Sequence, residues 1–150
     1  MDWLIQTDGD WTGLVARVLL GLVILPHGAQ KLLGWFGGYG YKGTMGYFTQ
    51  SLGIPYIFGM LAIMAEFFGG LALIFGLFGR VAALGVGVVM IVAALKVHVP
   101  NGFFMNWFGN QKGEGYEFHV LAAALAAIVL IGGSGGWSLD QAVALWLTAG

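Results

Sequence analysis

Eight side chains that can ionise or carry a proton stand within or at the ends of long apolar runs: Arg17, His27, Lys31, Glu66, Lys96, His98, Glu117 and His119. At the centre of a membrane helix such a group costs roughly 2.5–3.5 kcal/mol by insertion scales, so each must be paired, at an edge, or functional. Lysine and arginine donate to oxygen and glutamate accepts. Histidine, with a reference pKa of about 6.5, can do either and exchanges a proton near neutral pH. Phe103, Phe104 and Trp107 offer apolar faces beside them. The chain has no cysteine, which excludes disulfides, a dithiol relay, thiolate catalysis and cysteine-held zinc or iron–sulfur clusters. No metal-ligating set is read from the remaining residues.

The helical rise of about 1.5 Å per residue gives the depth of each group, measured from the side that holds both termini and the turn at Arg80. Arg17 lies about 9 Å deep, Glu66 about 18 Å, His27 about 24 Å, and His98 and His119 about 26 Å. The three histidines therefore share one level. Arg17, His27 and Lys31 fall on a single stripe of the first helix, with His27 and Lys31 one turn apart. On the second helix Gly59, Ala62, Glu66, Gly70 and Leu73 line one face, which directs Glu66 toward protein. Lys96/His98 and Glu117/His119 are each two residues apart, so at most one member of each pair points fully inward. Lys96 can snorkel outward.

The elements that must position these groups are set by composition. Hydrophobic residues make up 59% of 150, charged residues only 9%, and the mean hydropathy is +0.85, against roughly 25% charged in a soluble domain. A water-soluble globule is excluded. The net charge of −1 without a basic run excludes a nucleic-acid surface. Stretches long enough to cross a bilayer run near Trp11 to Lys31, Pro55 to Phe78, Val81 to Val99 and Tyr116 to Ile131. The expected fold is an all-α membrane protein, one domain over residues 1–150, built as a four-transmembrane-helix bundle. Pro55 suits the first turn of the second helix, and Pro100 stops the third.

Two long Gly/aromatic loops, Gly34 to Ile54 and Asn101 to Gly115, share one side and should cover the bundle at headgroup level. Both termini and the tight turn at Gly79–Arg80 share the other side. A short amphipathic segment, Ser138 to Leu147, lies along the interface or docks on the bundle. Lys31, Lys42, Lys96 and Lys112 on the loop side, against Arg80 and Arg17 opposite, favour a cytoplasmic loop side. The opening residues carry Asp2, Asp8 and Asp10 but no cation, so the first span is expected to stay in the mature chain.

Each polar residue also has a structural reading. Arg17 and Glu66 can form an ion pair that holds two helices together. His27 and Lys31 can snorkel to the headgroups. His98 can bond the loop beyond Pro100, His119 can be structural, Arg80 can be a helix-end charge, and the aromatic loops can be an interfacial belt. Convergence raises the set above these readings, because four helices contribute donors or acceptors to one half of the bundle.

The run RVLLGLVILPHGAQKLLGWFGG, then AEFFGGLALIFGLFGRVAAL, HVPNGFF, GYEFHVLAAALA and the terminal GWSLD resemble the DoxX family of small four-helix membrane proteins. The likeness covers residues 14 to 140, and the ordered elements HG-x-x-K, AE-x-x-GG, H-x-x-x-GFF and G-x-EF carry it jointly. It implies polar family positions at Arg17, His27, Lys31, Glu66, Arg80, His98 and Glu117. On that basis Glu117 turns inward, which leaves His119 at a groove or interface. The resemblance further implies a bacterial or archaeal inner-membrane location and an association with quinol-oxidase, thiosulfate:quinone or oxidative-stress redox systems.

Two functions of different class follow. One is a quinone-interacting subunit, with a substrate-binding set of Arg17, His27, Lys31, Glu66, His98, Glu117, Phe103, Phe104 and Trp107. These would supply donors to two carbonyls, an apolar slot and a proton path. The other is a non-catalytic scaffold or assembly factor whose polar residues form a structural network. The sequence itself requires no cofactor; quinone is the one this set would take. Haem b between equal-depth histidines, or proton and small-solute carriage, are weaker readings. The partners expected are the lipid bilayer, a soluble or membrane redox protein that brings electrons, and further copies of the chain.

Overall fold

The computed structural model describes residues 2–7 and 9–148, which form seven α-helices and, among the described residues, no strand. They are α1 (Asp2–Ile5), α2 (Trp11–Leu33), α3 (Gly40–Gly46), α4 (Tyr56–Phe75), α5 (Gly79–Ala93), α6 (Glu117–Gly132) and α7 (Leu139–Thr148). The helix of α5 continues as a π-turn (Ala94–His98) and a 3-10 turn (Val99–Asn101). Three helical segments, Trp11–Leu33, Tyr56–Phe75 and Gly79–Asn101, are long and apolar enough to cross a membrane. The α6 helix has 16 residues, about 24 Å of rise against a hydrocarbon core of about 30 Å.

The helices α2, α4, α5 and α6 pack in a ring, α2 on α4, α4 on α5, α5 on α6, and α6 back on α2. Ala16, Leu20 and Ile24 of α2 meet Leu73 of α4, Ala83, Val86 and Met90 of α5, and Ala122, Ala126 and Val129 of α6. The outer faces carry exposed Leu19, Phe58, Leu61, Leu84, Val88 and Leu121. Lipid is as apolar as these residues, so close packing must hold the helices together. Glycine supplies it between α2 and α4. A Cβ on Gly28 would lie 2.5–2.7 Å from backbone atoms of Glu66 and Phe67, and one on Gly21 would lie 2.8 Å from the Gly70 carbonyl.

At the end of the bundle holding the α4–α5 turn, each of four helix termini meets a side chain of opposite partial charge, as the macrodipole and its orphan backbone groups require. Asp10 caps the start of α2, accepting from the Gly13 N–H at 3.2 Å. Asp140 of α7, 1% exposed, accepts from the Phe78 and Gly79 N–H groups at the start of α5 and from Ser134 Oγ. Arg80 donates to the Leu130 and Ile131 carbonyls at the end of α6 and stacks 4.9 Å from Trp3. Arg17, also 1% exposed, uses every N–H of its guanidinium. It donates to Leu73 and Ile74 at the end of α4 and to Ser134, Gly136 and Trp137 in the connection between α6 and α7. The C-terminal segment is thus docked at its beginning, while Leu145, Trp146 and Leu147 stay exposed.

Three details differ from the sequence reading. Pro55 is the cap before α4 and not a residue of its first turn; its extended ψ of 140° turns the chain in, and its carbonyl accepts from Phe58 and Gly59. The connection 34–54 is largely helical, with α3 followed by a π-turn (Tyr47–Ser51). Its glycines disfavour helix, but burial of Thr44 and Met45 beneath it overrides that preference. Third, α5 changes to a π-turn before Pro100, so the regular helix ends earlier than the proline implies.

Arg17→Met should lower stability by about 3 kcal/mol or more, because it strands buried carbonyls. Arg17→Lys should lose nearly as much, since an ammonium cannot reproduce a planar five-donor fork. The thermal unfolding midpoint in one detergent, with Trp146→Phe as an unaffected control, checks this. In Asp140→Asn the new amide N–H would face a backbone or hydroxyl donor, so amide hydrogen exchange should rise over residues 78–82.

Candidate functional site

The opposite end of the bundle uses its charged side chains differently. The close approach at Gly28 brings α2 onto α4 beside Glu66, and Lys31, one turn later, is thereby carried over the carboxylate. Lys31 Nζ and Glu66 Oε2 form an ion pair that is also a hydrogen bond, the one salt bridge among the described residues. Glu66 is 3% exposed and Lys31 is half-buried. The partner of Glu66 is therefore Lys31. Arg17, 14 residues from Lys31 along α2, is about 21 Å away by helical rise and is committed to backbone carbonyls at the other end.

The histidines gather next to this pair. His27, exposed on the side of α2 toward α6, has its ring 5.8 Å from Phe118. His119 is 8% exposed, lies 5.4 Å from Phe118 and stacks on His98 at 4.1 Å between ring centroids, tilted by 36°. Its electrostatic neighbours are His98, His27 and Lys31, and its Nδ1 has no hydrogen-bond partner among the described residues. His98 sits at the end of the π-turn, where Nδ1 meets the Glu114 carbonyl at 2.9 Å. A carbonyl can only accept, so His98 Nδ1 carries the proton, and in the neutral ring Nε2 remains an acceptor.

His119, expected at a groove or interface, is buried, whereas Glu117, expected to turn inward, is half-buried and holds the loop by accepting from the Met105 N–H at 3.1 Å. The buried stripe of α6 runs His119, Ala122, Ala126, Val129. That spacing of three and four residues was a signal for His119 in the sequence; the small residues Ala123 and Ala127 beside it masked the register. Lys96 is exposed, and Arg80 belongs to the opposite end. Phe103, Phe104 and Trp107 are exposed on the connection after α5, with Phe103 edge-on to Tyr116.

Lys31 also lines a cleft of about 580 Å³ under the first connection, together with Gln30, Gly37, Gly38, Tyr39, Gly43, Thr44, Tyr47 and Phe48. Sequence reasoning missed its polar members, because they are brought to Lys31 by α3 folding back over α2. Tyr41 on α3 and Tyr56 at the start of α4 share a hydrogen bond of 2.8 Å that pins the fold-back and raises the Tyr41 pKa. The cleft combines a cation, an amide, hydroxyls and aromatic faces.

Residues 13–99 match the family model DoxX. The Inner membrane protein YqjF of Escherichia coli (strain K12) is 34% identical over 128 residues, 85% of this chain and 88% of that protein. No solved structure matches the chain. The matched region spans α2 through α5 and so includes the Gly28–Lys31 turn and Glu66, which with the apolar helices establishes that the chain belongs to the DoxX family of multi-pass membrane proteins.

Proposed function

We propose that this chain is a quinone-interacting membrane subunit, with α2, α4, α5 and α6 as four crossings and the quinone ring in the cleft at Lys31. The observation that carries the reading is the Lys31–Glu66 pair at the boundary between that cleft and the histidines. Lys31, Gln30 and the hydroxyls of Thr44, Tyr39 and Tyr47 are donors for the ring oxygens, and Phe48 offers an apolar face. Reducing a quinone to a quinol adds two electrons and two protons and forms an O–H bond at each ring oxygen. His27, Glu66 and His119 are the proton-carrying groups next to the site, and a soluble or membrane redox partner supplies the electrons.

The scaffold reading has its own support. Arg17, Arg80 and Asp140 spend their charges on backbone groups, which supports a structural network. The two readings predict different losses.

A photoreactive benzoquinone added to the purified protein in lipid nanodiscs should label the peptide spanning residues 37–48. Lys31→Met should weaken that binding about tenfold or more per folded molecule, as expected for loss of one charge-assisted hydrogen bond, the binding being normalised to folded protein because the substitution also strands the buried Glu66 carboxylate. Absence of cleft labelling would overturn the proposal. Glu66→Gln and His98→Asn should likewise reduce a quinone-linked rate at constant protein level, whereas a scaffold would show altered abundance and co-purifying partners at an unchanged rate.

A further inference from the structure

We infer that His98 and His119 form a store for one proton, filled from the water on the loop side at His98 Nε2 and emptied toward the Lys31–Glu66 pair through His119. The use of the store rests on the quinone site proposed above, which consumes protons; its existence does not. The pairing begins with the backbone of α5. The buried stripe of that helix runs Gly79, Ala83, Val86, Met90, and an unbroken helix would carry it on to Val97. The π-turn Ala94–His98 adds one residue to the turn and so brings His98 round to α6, where its ring lies 4.1 Å from that of His119.

The two rings are not equivalent. His98 is half-buried, and the Glu114 carbonyl that holds its Nδ1–H also accepts from Asn101 Nδ2 at 3.0 Å, both bonds lying at the exposed surface of the connection after α5. Nε2 of His98 can form an N–H bond with a proton from water there, and the imidazolium keeps its carbonyl partner. His119 is 8% exposed, with Nδ1 unpartnered among the described residues, and a buried polar atom left so calls for a role. Two charged rings at this separation repel one another, so the pair holds one proton and not two. The neighbours decide where it rests. From α2, His119 faces His27 and Lys31, the latter paired with Glu66 of α4, and from the π-turn it faces His98. The nearby carboxylates are engaged by backbone: Glu117 of α6 by the Met105 N–H, and Glu114 by the Asn106 N–H, while Lys96 is exposed. The proton therefore rests on His98 and crosses His119 in transit. His119 accepts it on the ring nitrogen that holds the lone pair and releases the proton carried by the other.

Nuclear magnetic resonance of the histidine ring nitrogens tests this on the full chain in phosphatidylcholine nanodiscs, where the chain contributes only three histidines and a purification tag without histidine adds none. As the pH falls from about 8 to about 5, His98 should keep its Nδ1 proton throughout and gain a second at Nε2, while His119 stays neutral. Two charged rings in that range, or a His119 that charges first, would overturn the store. So would a neutral His98 that carries its proton on Nε2. The filling route is tested with His98→Asn, whose amide can still donate to the Glu114 carbonyl but holds no titrating nitrogen. Exchange of the His119 ring proton with water should slow about a hundredfold, as expected for loss of a positioned proton carrier, with exchange at His27 unchanged. Equal or faster exchange at His119 would mark His98 as merely structural and overturn the route. Should the variant fail to fold, the wild-type titration decides alone. No quinone is present in either measurement, so a failed store leaves the ring site standing, and a failed ring site leaves the histidine titration as it is.

Discussion

A backbone carbonyl buried at a helix end in a medium without water must be given a donor, and the Arg17 guanidinium meets that demand for two helix-end and three loop carbonyls at once. Everything at that end of the bundle follows from it. The end of α4, the Ser134–Trp137 connection and the entry to α7 are drawn onto one side chain of α2. Asp140 then completes the arrangement by satisfying the start of α5 and the Ser134 hydroxyl. Asp10 and the arginines alternate in sign around the ring of helix ends because neighbouring helices run in opposite directions.

The opposite end obeys the same rule but reaches another result. There the Lys31 cation meets a carboxylate, Glu66, and stays half-buried in the lining of a cleft. His119 is nine-tenths buried with one ring nitrogen unpartnered among the described residues. One end of the molecule has its charges spent on backbone; the other keeps titratable side chains facing one another and an opening beside them. That asymmetry is the physical basis for proposing a site at the Lys31 end, whereas the charges of the Arg17 end hold backbone groups.

Much of this was legible in the residues. The direction of Glu66 followed from glycine and alanine at its helical neighbours, and the shared level of His98 and His119 followed from rise per residue; their rings meet at 4.1 Å. What could not be read was the choice of partner. Arg17 and Lys31 occupy one stripe of α2, and either could serve Glu66 by charge alone; Gly28 decides, because there the α2 backbone meets that of Glu66 and Phe67 one turn before Lys31. The role of α3 was also hidden, since a segment with glycine at every third or fourth position reads as loop until something is buried beneath it.

By itself the sequence determined a membrane-spanning helical protein, the apolar segments, the small-residue faces and the short list of groups able to do chemistry, because these depend on composition and on the 3.6-residue period. Only the tertiary structure decided that Asp140, distant in sequence, caps α5; that Glu117 serves a loop while His119 is enclosed; and that Tyr39, Thr44 and Tyr47 join Lys31 around a cleft. Those outcomes depend on which backbones approach within a few ångströms and on how the connections fold over them. Periodicity along one chain segment carries no information about that distance.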